Sequence, residues 1–274
     1  MTTTTCDTAV LITGASSGIG AGLAREFVRR GMRVALVARR RQQLESLVAE
    51  LRATGGEATV HTGDVTVDGD IARVVADLAR QNLRPAIVIA NAGFGVVGRA
   101  QELTLADYRR QLETNVFGVL RTFHESIDAL RQAGGRFVIM GSVASHISTP
   151  GGSAYAMSKF AVRALAESLH GDLKATGVGC TLISPGFVDS DIRRVDNRGG
   201  LHPHAKDPIP PWLRMKTEQA ARAMVNGILR GKYEVIVTFH AKVTIFMARH
   251  FPRLTRYLLV RANKGSRPEP SKPA

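Results

Sequence analysis

The sequence lacks most of the features that mark secreted, membrane-spanning or metal-binding proteins. Only two cysteines, Cys6 and Cys180, occur in 274 residues, too few and too far apart for a disulfide framework or a zinc site. No apolar run reaches the ~20 residues needed to cross a bilayer. The first residues, MTTTTCDTAV, lack the basic region and the apolar stretch of a signal peptide. We therefore predict a cytoplasmic protein without a metal site.

Acidic side chains are scarce near the C-terminus. The whole chain has 37 Lys and Arg against 23 Asp and Glu, a formal net charge of +14. From Trp212 onward there are thirteen Lys and Arg but only three Asp and Glu, so ten of the excess positive charges lie in this last quarter. This segment could bind phosphates, yet it contains no recognisable nucleic-acid-reading module. We predict no nucleic-acid partner.

Apolar runs typical of buried strands alternate with amphipathic helical stretches through most of the chain. The length and the 44% hydrophobic content suit one α/β domain. We predict a doubly wound, Rossmann-type parallel sheet flanked by helices, with a C-terminal helical extension. The predicted strands cover residues 9–13, 33–37, 57–61, 86–90, 136–140, 179–183 and 234–239, and the helices cover 18–30, 42–54, 70–80 and 106–131 with a further helix from about 153.

The predicted domain boundaries follow composition. The main domain is predicted to span residues 1–240, and a Gly- and Pro-rich loop at about 190–216, here called the lid, could cover a site. A basic amphipathic extension follows over 241–264, broken at Pro252, and 265–274 is predicted to be a disordered tail. Two interpretations of the extension stay open: a helix lying on an anionic membrane surface, or a helix packed on the domain with a solvated basic face.

The connection between the first strand and the first helix reads TGASSGIG. Its glycines allow a tight turn and close backbone approach, and the following helix N-terminus presents free N–H groups to a phosphate. The loop lacks the lysine that a nucleoside-triphosphate loop requires. We predict a dinucleotide phosphate site formed by Gly14, Ser16, Ser17, Gly18, Ile19 and Gly20.

The end of the second strand lacks an acidic residue. Proteins that bind NAD usually carry one there for the ribose 2′-hydroxyl, whereas this chain has Ala38 followed by Arg39, Arg40 and Arg41. Cations at the start of a helix oppose its dipole, which favours an anionic ligand over a merely solvated charge run. We predict NADP(H) rather than NAD(H), with the 2′-phosphate held by Arg39 and with Arg40 also contacting the cofactor.

Tyr155 and Lys159 lie four residues apart at the start of an amphipathic helix, so they share one helix face. A lysine about 5 Å from a phenol, at an effective dielectric near ~20, favours the phenolate by about 3 kcal/mol. Lys159 is thus predicted to lower the pKa of Tyr155 toward the range where a general acid or base works best.

Together these motifs resemble the short-chain dehydrogenase/reductase family over about residues 8–190. TGASSGIG, NAG at Asn91–Gly93, Asn115, Ser142, YAMSK at Tyr155–Lys159 and PG at Pro185–Gly186 stand in the family's order and at its spacings. The resemblance implies that Tyr155 exchanges the proton, Lys159 also holds the nicotinamide ribose, Ser142 binds the substrate oxygen and Asn115 anchors a water chain. It further implies cofactor contacts from Asp64, Val65, Asn91, Ala92, Gly93, Tyr155, Lys159, Pro185, Gly186, Val188 and Ser190, with serine replacing the family's more usual threonine at 190.

The resemblance implies an oxidoreductase, and relatives with similar basic, apolar extensions reduce lipid or steroid ketones at membranes. We predict NADPH-dependent reduction of a hydrophobic ketone by an enzyme that is a candidate for peripheral membrane contact and for homodimers or tetramers. Two alternatives remain: an NADP⁺-dependent alcohol dehydrogenase, and an NADPH-sensing binding module that docks to anionic surfaces. Candidate pocket residues are Phe94, His146, Ile147, Phe187 and Trp212.

Overall fold

The computed structural model describes residues 8–202 and 204–263 and contains one seven-stranded, all-parallel sheet. The strands are β1 (Thr8–Thr13), β2 (Arg33–Ala38), β3 (Ala58–Thr62), β4 (Arg84–Ala90), β5 (Arg136–Met140), β6 (Gly179–Ser184) and β7 (Glu234–Ile236). The helices are α1 (Gly18–Arg29), α2 (Arg41–Ala53), α3 (Asp70–Arg80), α4 (Leu105–Leu112), α5 (Gly118–His124), α6 (Ile127–Ala133), α7 (Ser153–Asp172), α8 (Thr217–Leu229), α9 (Phe239–His250) and α10 (Pro252–Asn263).

The sheet order is β3-β2-β1-β4-β5-β6-β7, which confirms the predicted doubly wound architecture. The chain winds from β1 outward to β3 and then crosses back to place β4 on the other side of β1. This reversal creates a crevice at the carboxyl ends of β1 and β4, where open α/β sheets bind their ligands.

Apolar side chains cover both faces of the sheet. Val10 and Ile12 of β1 join a buried cluster with α1, α2 and α8, whereas Leu11 joins a second cluster with α3, α5, α6 and α7. Because alternate residues of a strand point to opposite faces, a central strand covered by helices on both sides must be apolar throughout. This explains why β1 appears in the sequence as a continuous apolar run.

The predicted helix over 106–131 is wrong in its continuity. The structure divides it into α4, a π-helical turn at Glu113–Phe117, α5 and α6. Thr122 donates its hydroxyl to the carbonyl of Gly118 (2.7 Å), and Ser126 donates to that of Thr122 (2.6 Å). Such back-bonding competes with the helical ladder and bends helices, consistent with the break at Ser126.

The predicted strand over 234–239 is also wrong at its end, because β7 stops at Ile236. Its neighbour among the described strands, β6, ends at Ser184 and is followed by Pro185, which has no N–H to extend the ladder. Thr238 instead caps α9 by accepting a hydrogen bond from the backbone N–H of Ala241 (3.3 Å). The C-terminal helices therefore begin at Phe239.

The other predicted strands agree with the structure to within two residues at each end. The lid contains 3₁₀ turns at Asp191–Arg194 and Pro211–Leu213, and Pro252 separates α9 from α10 as predicted. Cys6 and the predicted tail 265–274 lie outside the described residues. Among the helices that are described, none combines the length and the hydropathy of a membrane span.

Candidate active site

The glycine loop after β1 has the geometry of a phosphate cradle. Gly14 and Gly18 have φ of +64° and +52°, and a Cβ on Gly14 would lie 2.7 Å from the Cα of Ala92. A Cβ on Gly20 would lie 2.4 Å from the Gly14 carbonyl oxygen, so neither position has room for a side chain. Ser17 precedes α1 in an extended conformation without a side-chain cap. The N-terminus of α1 is thus suited to an anionic ligand.

Thr13 joins the loop to β4 across the crevice. Its hydroxyl donates to the carbonyl of Ile89 (3.3 Å) and accepts from the backbone N–H groups of Asn91 (3.0 Å) and Ala92 (3.1 Å). The Asn91 side-chain amide donates to the carbonyls of Thr13 (2.9 Å) and Gly14 (3.2 Å). These bonds fix the predicted cofactor residues of β1 and β4 as one rigid floor.

Arg40, rather than Arg39, reaches the glycine loop. Nη2 of Arg40 donates to the hydroxyls of Ser16 (2.9 Å) and Ser17 (3.0 Å). The side chain of Arg39 is 69% exposed, and its nearest acidic group is the Asp64 carboxylate at 3.8 Å. A guanidinium beside two serine hydroxyls at a helix N-terminus is a donor set that fits a phosphate group.

Asp64 and Val65 form the turn after β3. Oδ1 of Asp64 accepts from the backbone N–H (2.9 Å) and the hydroxyl (2.8 Å) of Thr66. Val65 is buried against α5, where a Cβ on Gly118 would lie 2.7 Å from its side chain. The turn is therefore held by contacts within the protein, as expected for residues that resemble the family's adenine-binding turn.

The structure brings Tyr155, Lys159 and Ser142 together at the carboxyl end of β5. Lys159 is buried, lies with Nζ 5.6 Å from the centroid of the Tyr155 ring, and donates to the carbonyl of Met140 (2.7 Å). Ser142 begins the turn Val143–Ser145 and hydrogen-bonds with the Tyr155 side chain. The predicted convergence of phenol and ammonium on one small volume is therefore observed.

The predicted lowering of the Tyr155 pKa is wrong. Burial raises the pKa of Tyr155, and the opposing effects of the Ser142 hydrogen bond and of the nearby Arg193 charge do not offset it. Burial also lowers the pKa of Lys159 to about 8. The sequence argument assumed a fully charged lysine, whereas the same burial that creates the site weakens that charge.

Asn115 lies in the π-helical turn, a feature that the sequence analysis missed. Its amide oxygen accepts from the backbone N–H of Phe94 (3.1 Å), and its amide nitrogen donates to the Phe94 carbonyl (3.0 Å) and to Ser158 Oγ (3.2 Å). A Cβ on Gly93 would lie 3.0 Å from the Asn115 oxygen. Asn115 thus links the β4 loop to α7, and π turns recur at functional sites.

The Pro185–Ser190 segment follows β6 and approaches both halves of the site. The Pro185 carbonyl accepts from the N–H of Val143 beside Ser142 (2.8 Å), and a Cβ on Gly18 would lie 3.2 Å from the Ser190 Cβ. The Val188 carbonyl accepts from Arg193 of the lid (3.0 Å). The segment is therefore in contact with the turn that follows Ser142, the glycine loop and the lid.

Asp207 binds two arginines of the lid, and each of these arginines also contacts this segment. It accepts from Arg193 (2.7 Å) and Arg214 (3.2 Å), and Arg214 also donates to Asp189 (2.9 Å). The hydrogen bond from Arg193 lowers the pKa of Asp207 to about 2. Trp212 of the lid is 82% exposed and does not line a closed pocket in this conformation.

His146 was predicted to line the substrate pocket, but its side chain packs elsewhere. It is buried between Glu234, 2.8 Å from its Nε2, and Arg163, which donates to its Nδ1 (2.9 Å). Burial alone would raise the pKa of Glu234, but hydrogen bonds from His146 and Ser184 outweigh it and lower that pKa. His146 therefore braces the loop after Ser142, and no local sequence signal linked it to a glutamate 88 residues away.

Known proteins resemble this chain in sequence. A family model described as short chain dehydrogenase matches residues 8–199. An uncharacterized oxidoreductase from Myxococcus xanthus is 36% identical over 88% of this chain and 92% of its own length. The 11-beta-hydroxysteroid dehydrogenase A of Sesamum indicum is 29% identical over 96% of this chain and 77% of its own length.

Solved structures resemble it in fold. A short-chain dehydrogenase from Sphingobium yanoikuyae in complex with NADPH has a TM-score of 0.72 and 28% identity, covering 98% of both chains. An alcohol dehydrogenase from Thermococcus sibiricus complexed with 5-hydroxy-NADP has the same TM-score and identity over 84% of this chain and 96% of its own. Together with a sheet that gathers the glycine loop, Tyr155 and Lys159 at its crevice, the family match shows that this protein is an oxidoreductase of the short-chain dehydrogenase family.

Proposed function

We propose that the protein is an NADP(H)-dependent reductase of a hydrophobic ketone, with Tyr155 as proton donor. The observation that carries this proposal is the convergence of Tyr155, Lys159 and Ser142 beside a phosphate cradle to which Arg40 is hydrogen-bonded. We assign these roles to the proposed domains. Residues 1–240 bind the cofactor and the substrate, and the lid covers the site. Residues 241–264 form a separate surface.

NADP(H) is supported from two sides. Arg40 and the serines of the loop form a donor set for an additional phosphate, and Ala38 leaves the end of β2 without the acid that a free 2′-hydroxyl would bind. The relative from Sphingobium yanoikuyae was solved with NADPH and that from Thermococcus sibiricus with 5-hydroxy-NADP. We infer the same cofactor class here.

The proposed chemistry assigns one role to each side chain. A nicotinamide held at this crevice would supply the hydride for the carbonyl carbon. Tyr155 gives its phenolic proton to the carbonyl oxygen, so that one hydride and one proton convert C=O to CH–OH. Ser142 donates a hydrogen bond to the oxygen as its negative charge grows, and Lys159 stabilises the phenolate that Tyr155 becomes. Asn115 supports proton return through Lys159.

A hydrophobic substrate is supported by the 11-beta-hydroxysteroid dehydrogenase from Sesamum indicum, which aligns over 96% of this chain. The lid is rich in Gly and Pro, a composition that suits a loop able to adapt to a bulky substrate. The oxidative alternative, an NADP⁺-dependent alcohol dehydrogenase, would use the same residues, and the Thermococcus relative is named as one. A pure NADPH sensor would not need the three reactive side chains together.

We expect purified protein to consume NADPH with a steroid or long-chain ketone at a catalytic efficiency at least ~10-fold above that for a short-chain ketone, because each buried CH₂ contributes about 0.8 kcal/mol. The measurement is the loss of NADPH absorbance with matched ketones of increasing size. Reversal with the corresponding alcohols and NADP⁺ gives the favoured direction. No turnover with any ketone or alcohol, despite NADPH binding, would support the sensor instead.

The enzyme is further proposed to be cytoplasmic and to form homodimers or tetramers through the helices that carry Asn115 and Tyr155. Large apolar side chains are exposed on these elements: Phe117 at 49%, Met157 at 51% and Phe160 at 42%. Exposed patches of this kind favour protein contacts. Sedimentation of Phe160→Ser beside the wild-type protein tests this assignment, since only a true interface residue would shift the species toward monomer.

The C-terminal helices are proposed to contact an anionic membrane surface. Eight apolar or aromatic side chains on or between α9 and α10 are each at least 45% exposed: Phe239, Val243, Phe246, Phe251, Leu254, Tyr257, Leu258 and Val260. The sequence from Phe239 to Asn263 contains five Lys and Arg but no Asp or Glu. We call this the C-terminal surface. A second copy would bring the same positive charge, whereas anionic lipid offers both the opposite charge and an apolar layer.

We expect co-sedimentation with phosphatidylcholine vesicles only when phosphatidylserine is added, and a bound fraction that falls with salt. The double variant Phe246→Ser/Leu258→Ser should reduce vesicle affinity ~10-fold, because two exposed apolar anchors are removed. Leu105→Ser, on α4 and 73% exposed, is the matched control. Binding that ignores lipid charge, or a control as defective as the double variant, would contradict the proposal.

A further inference from the structure

A side chain of the first turn of α9 holds the backbone of the Pro185–Ser190 segment. Nε2 of His240 accepts a hydrogen bond from the backbone N–H of Phe187 (2.9 Å), and the Phe187 ring stacks on the imidazole with centroids 5.1 Å apart. The hydroxyl of Thr238 also lies within hydrogen-bond distance of Nε2 (3.1 Å). The sequence analysis did not single out His240, which is 53 residues away from Phe187 in the chain.

The contact requires a glycine in the segment. A Cβ on Gly186 would lie 2.2 Å from the Thr238 hydroxyl and 2.4 Å from Nε2 of His240. Position 186 of the PG motif therefore requires a glycine in this chain, because the backbone passes close to the start of α9. Segment and helix are fitted to each other.

The other backbone anchors of the segment come from elements already described. The Pro185 carbonyl bonds to Val143, the Phe187 carbonyl accepts from the N–H of Met215 (2.9 Å), and the Val188 carbonyl accepts from Arg193. His240 adds a side-chain acceptor for the Phe187 N–H. It is therefore a link by which the start of α9 fixes the backbone next to the turn that follows Ser142.

We propose that His240 is a positioning residue that orders the Pro185–Val188 segment for the nicotinamide half of the cofactor. This inference rests on the proposed function, because the segment's role in cofactor binding belongs to that proposal. It predicts that the start of α9, outside the region matched by the family model, determines how the reactive end of NADPH is seated while the adenosine end is untouched.

The hydrogen bond requires Nε2 without a proton. The N-terminal turn of α9 disfavours a positive charge, and burial lowers the pKa of His240. The groups packed against the ring, Gly186, Phe187 and Thr238, are not ionisable; the nearest charged residues along the chain are Asp189, paired with Arg214, and Lys242. Because the folded pKa is lowered, the contact is complete at the ordinary histidine pKa of ~6.5 and above, and it is lost only as pH falls through the lower pKa of the folded protein.

The test compares two variants that separate the aromatic ring of His240 from its hydrogen-bond acceptor. His240→Phe keeps an aromatic ring against Phe187 but removes the acceptor, and His240→Gln restores an acceptor near the position of Nε2. Each is titrated with NADPH and with 2′,5′-ADP, which carries only the adenosine 2′-phosphate half. His250→Phe, whose ring contacts Phe246 at the other end of α9, is the matched control.

We expect His240→Phe to weaken NADPH binding ~10-fold, since an N–H loses its acceptor, with 2′,5′-ADP binding unchanged. His240→Gln should recover most of the loss, and its acid-side decline in NADPH affinity should be no larger than that of 2′,5′-ADP, because the 2′-phosphate gains a proton near pH ~6 in both ligands. Equal weakening of both ligands, or wild-type NADPH binding in His240→Phe, would overturn the inference while leaving the proposed function intact. If the wild-type protein bound neither 2′,5′-ADP nor NADPH, both the proposed function and this inference would be overturned.

Discussion

Replacing Tyr155 with phenylalanine is expected to lower the rate of ketone reduction ~1,000-fold, because a positioned general acid contributes roughly 10²- to 10⁴-fold. The substitution removes one oxygen from a partly buried ring and leaves Lys159 bonded to the Met140 carbonyl. NADPH affinity should therefore stay within ~2-fold of the wild-type value. The measurement is kcat with saturating NADPH, beside a fluorescence titration of the cofactor.

The pH profile distinguishes loss of the proton donor from a general disturbance. Reduction needs a protonated phenol, and burial raises the pKa of Tyr155, so the donor stays protonated through neutral pH. Lys159, with a pKa of about 8, loses the charge that stabilises the resulting phenolate as pH rises through that value. The wild-type rate should be level near neutrality and fall above about pH 8, and this alkaline decline should disappear from the residual rate of Tyr155→Phe.

Tyr257→Phe provides the control, since Tyr257 is exposed on α10 and its hydroxyl contacts only Arg261 among the described residues. It should retain full activity on a soluble ketone. If Tyr155→Phe kept more than a tenth of the wild-type rate, another group would have to supply the proton, and the role assigned to Tyr155 would be wrong.

The chemical core of the site could be predicted because its determinants are local. The glycines of TGASSGIG and the four-residue spacing of Tyr155 and Lys159 encode their geometry within one turn of backbone. The crevice itself follows from the alternation of strands and helices, which allows few topologies. These inferences needed no knowledge of which distant segments touch.

Features created by distant contacts could not be predicted in the same way. His146 and Glu234 meet only because β7 lies beside β6, and His240 meets Phe187 because α9 begins where the β6–β7 ladder ends. The break after α5 depends on hydroxyl groups that bond within the helix, and serine or threonine at such positions often leaves a helix intact. The lowered pKa of Lys159 depends on burial, which a helical wheel does not measure.

The arginine run Arg39–Arg41 shows both what sequence position predicts and what only the contacts reveal. It also gives the second prediction. Sequence position alone predicts Arg39 as the 2′-phosphate ligand, but the contacts favour Arg40, which is bonded to Ser16 and Ser17 while Arg39 is mostly exposed. Arg40→Ala is expected to weaken NADPH binding ~50-fold, because a hydrogen bond to a charged group contributes about 1.5–3 kcal/mol. NADH affinity should change little, so that the preference for NADPH largely disappears.

The neighbouring arginines supply matched controls for this experiment. Arg41 pairs with Glu45 on α2 (2.7 Å), so Arg41→Ala should leave both cofactors unaffected. Arg39→Ala should weaken NADPH binding only a few-fold, since its guanidinium is solvated and lies near the Asp64 carboxylate. A larger loss for Arg39→Ala than for Arg40→Ala would restore the assignment made from sequence position. It would also require the Arg40 side chain to leave the serines when the 2′-phosphate binds, because both arginines follow the same strand end and only one of them is bonded to the loop.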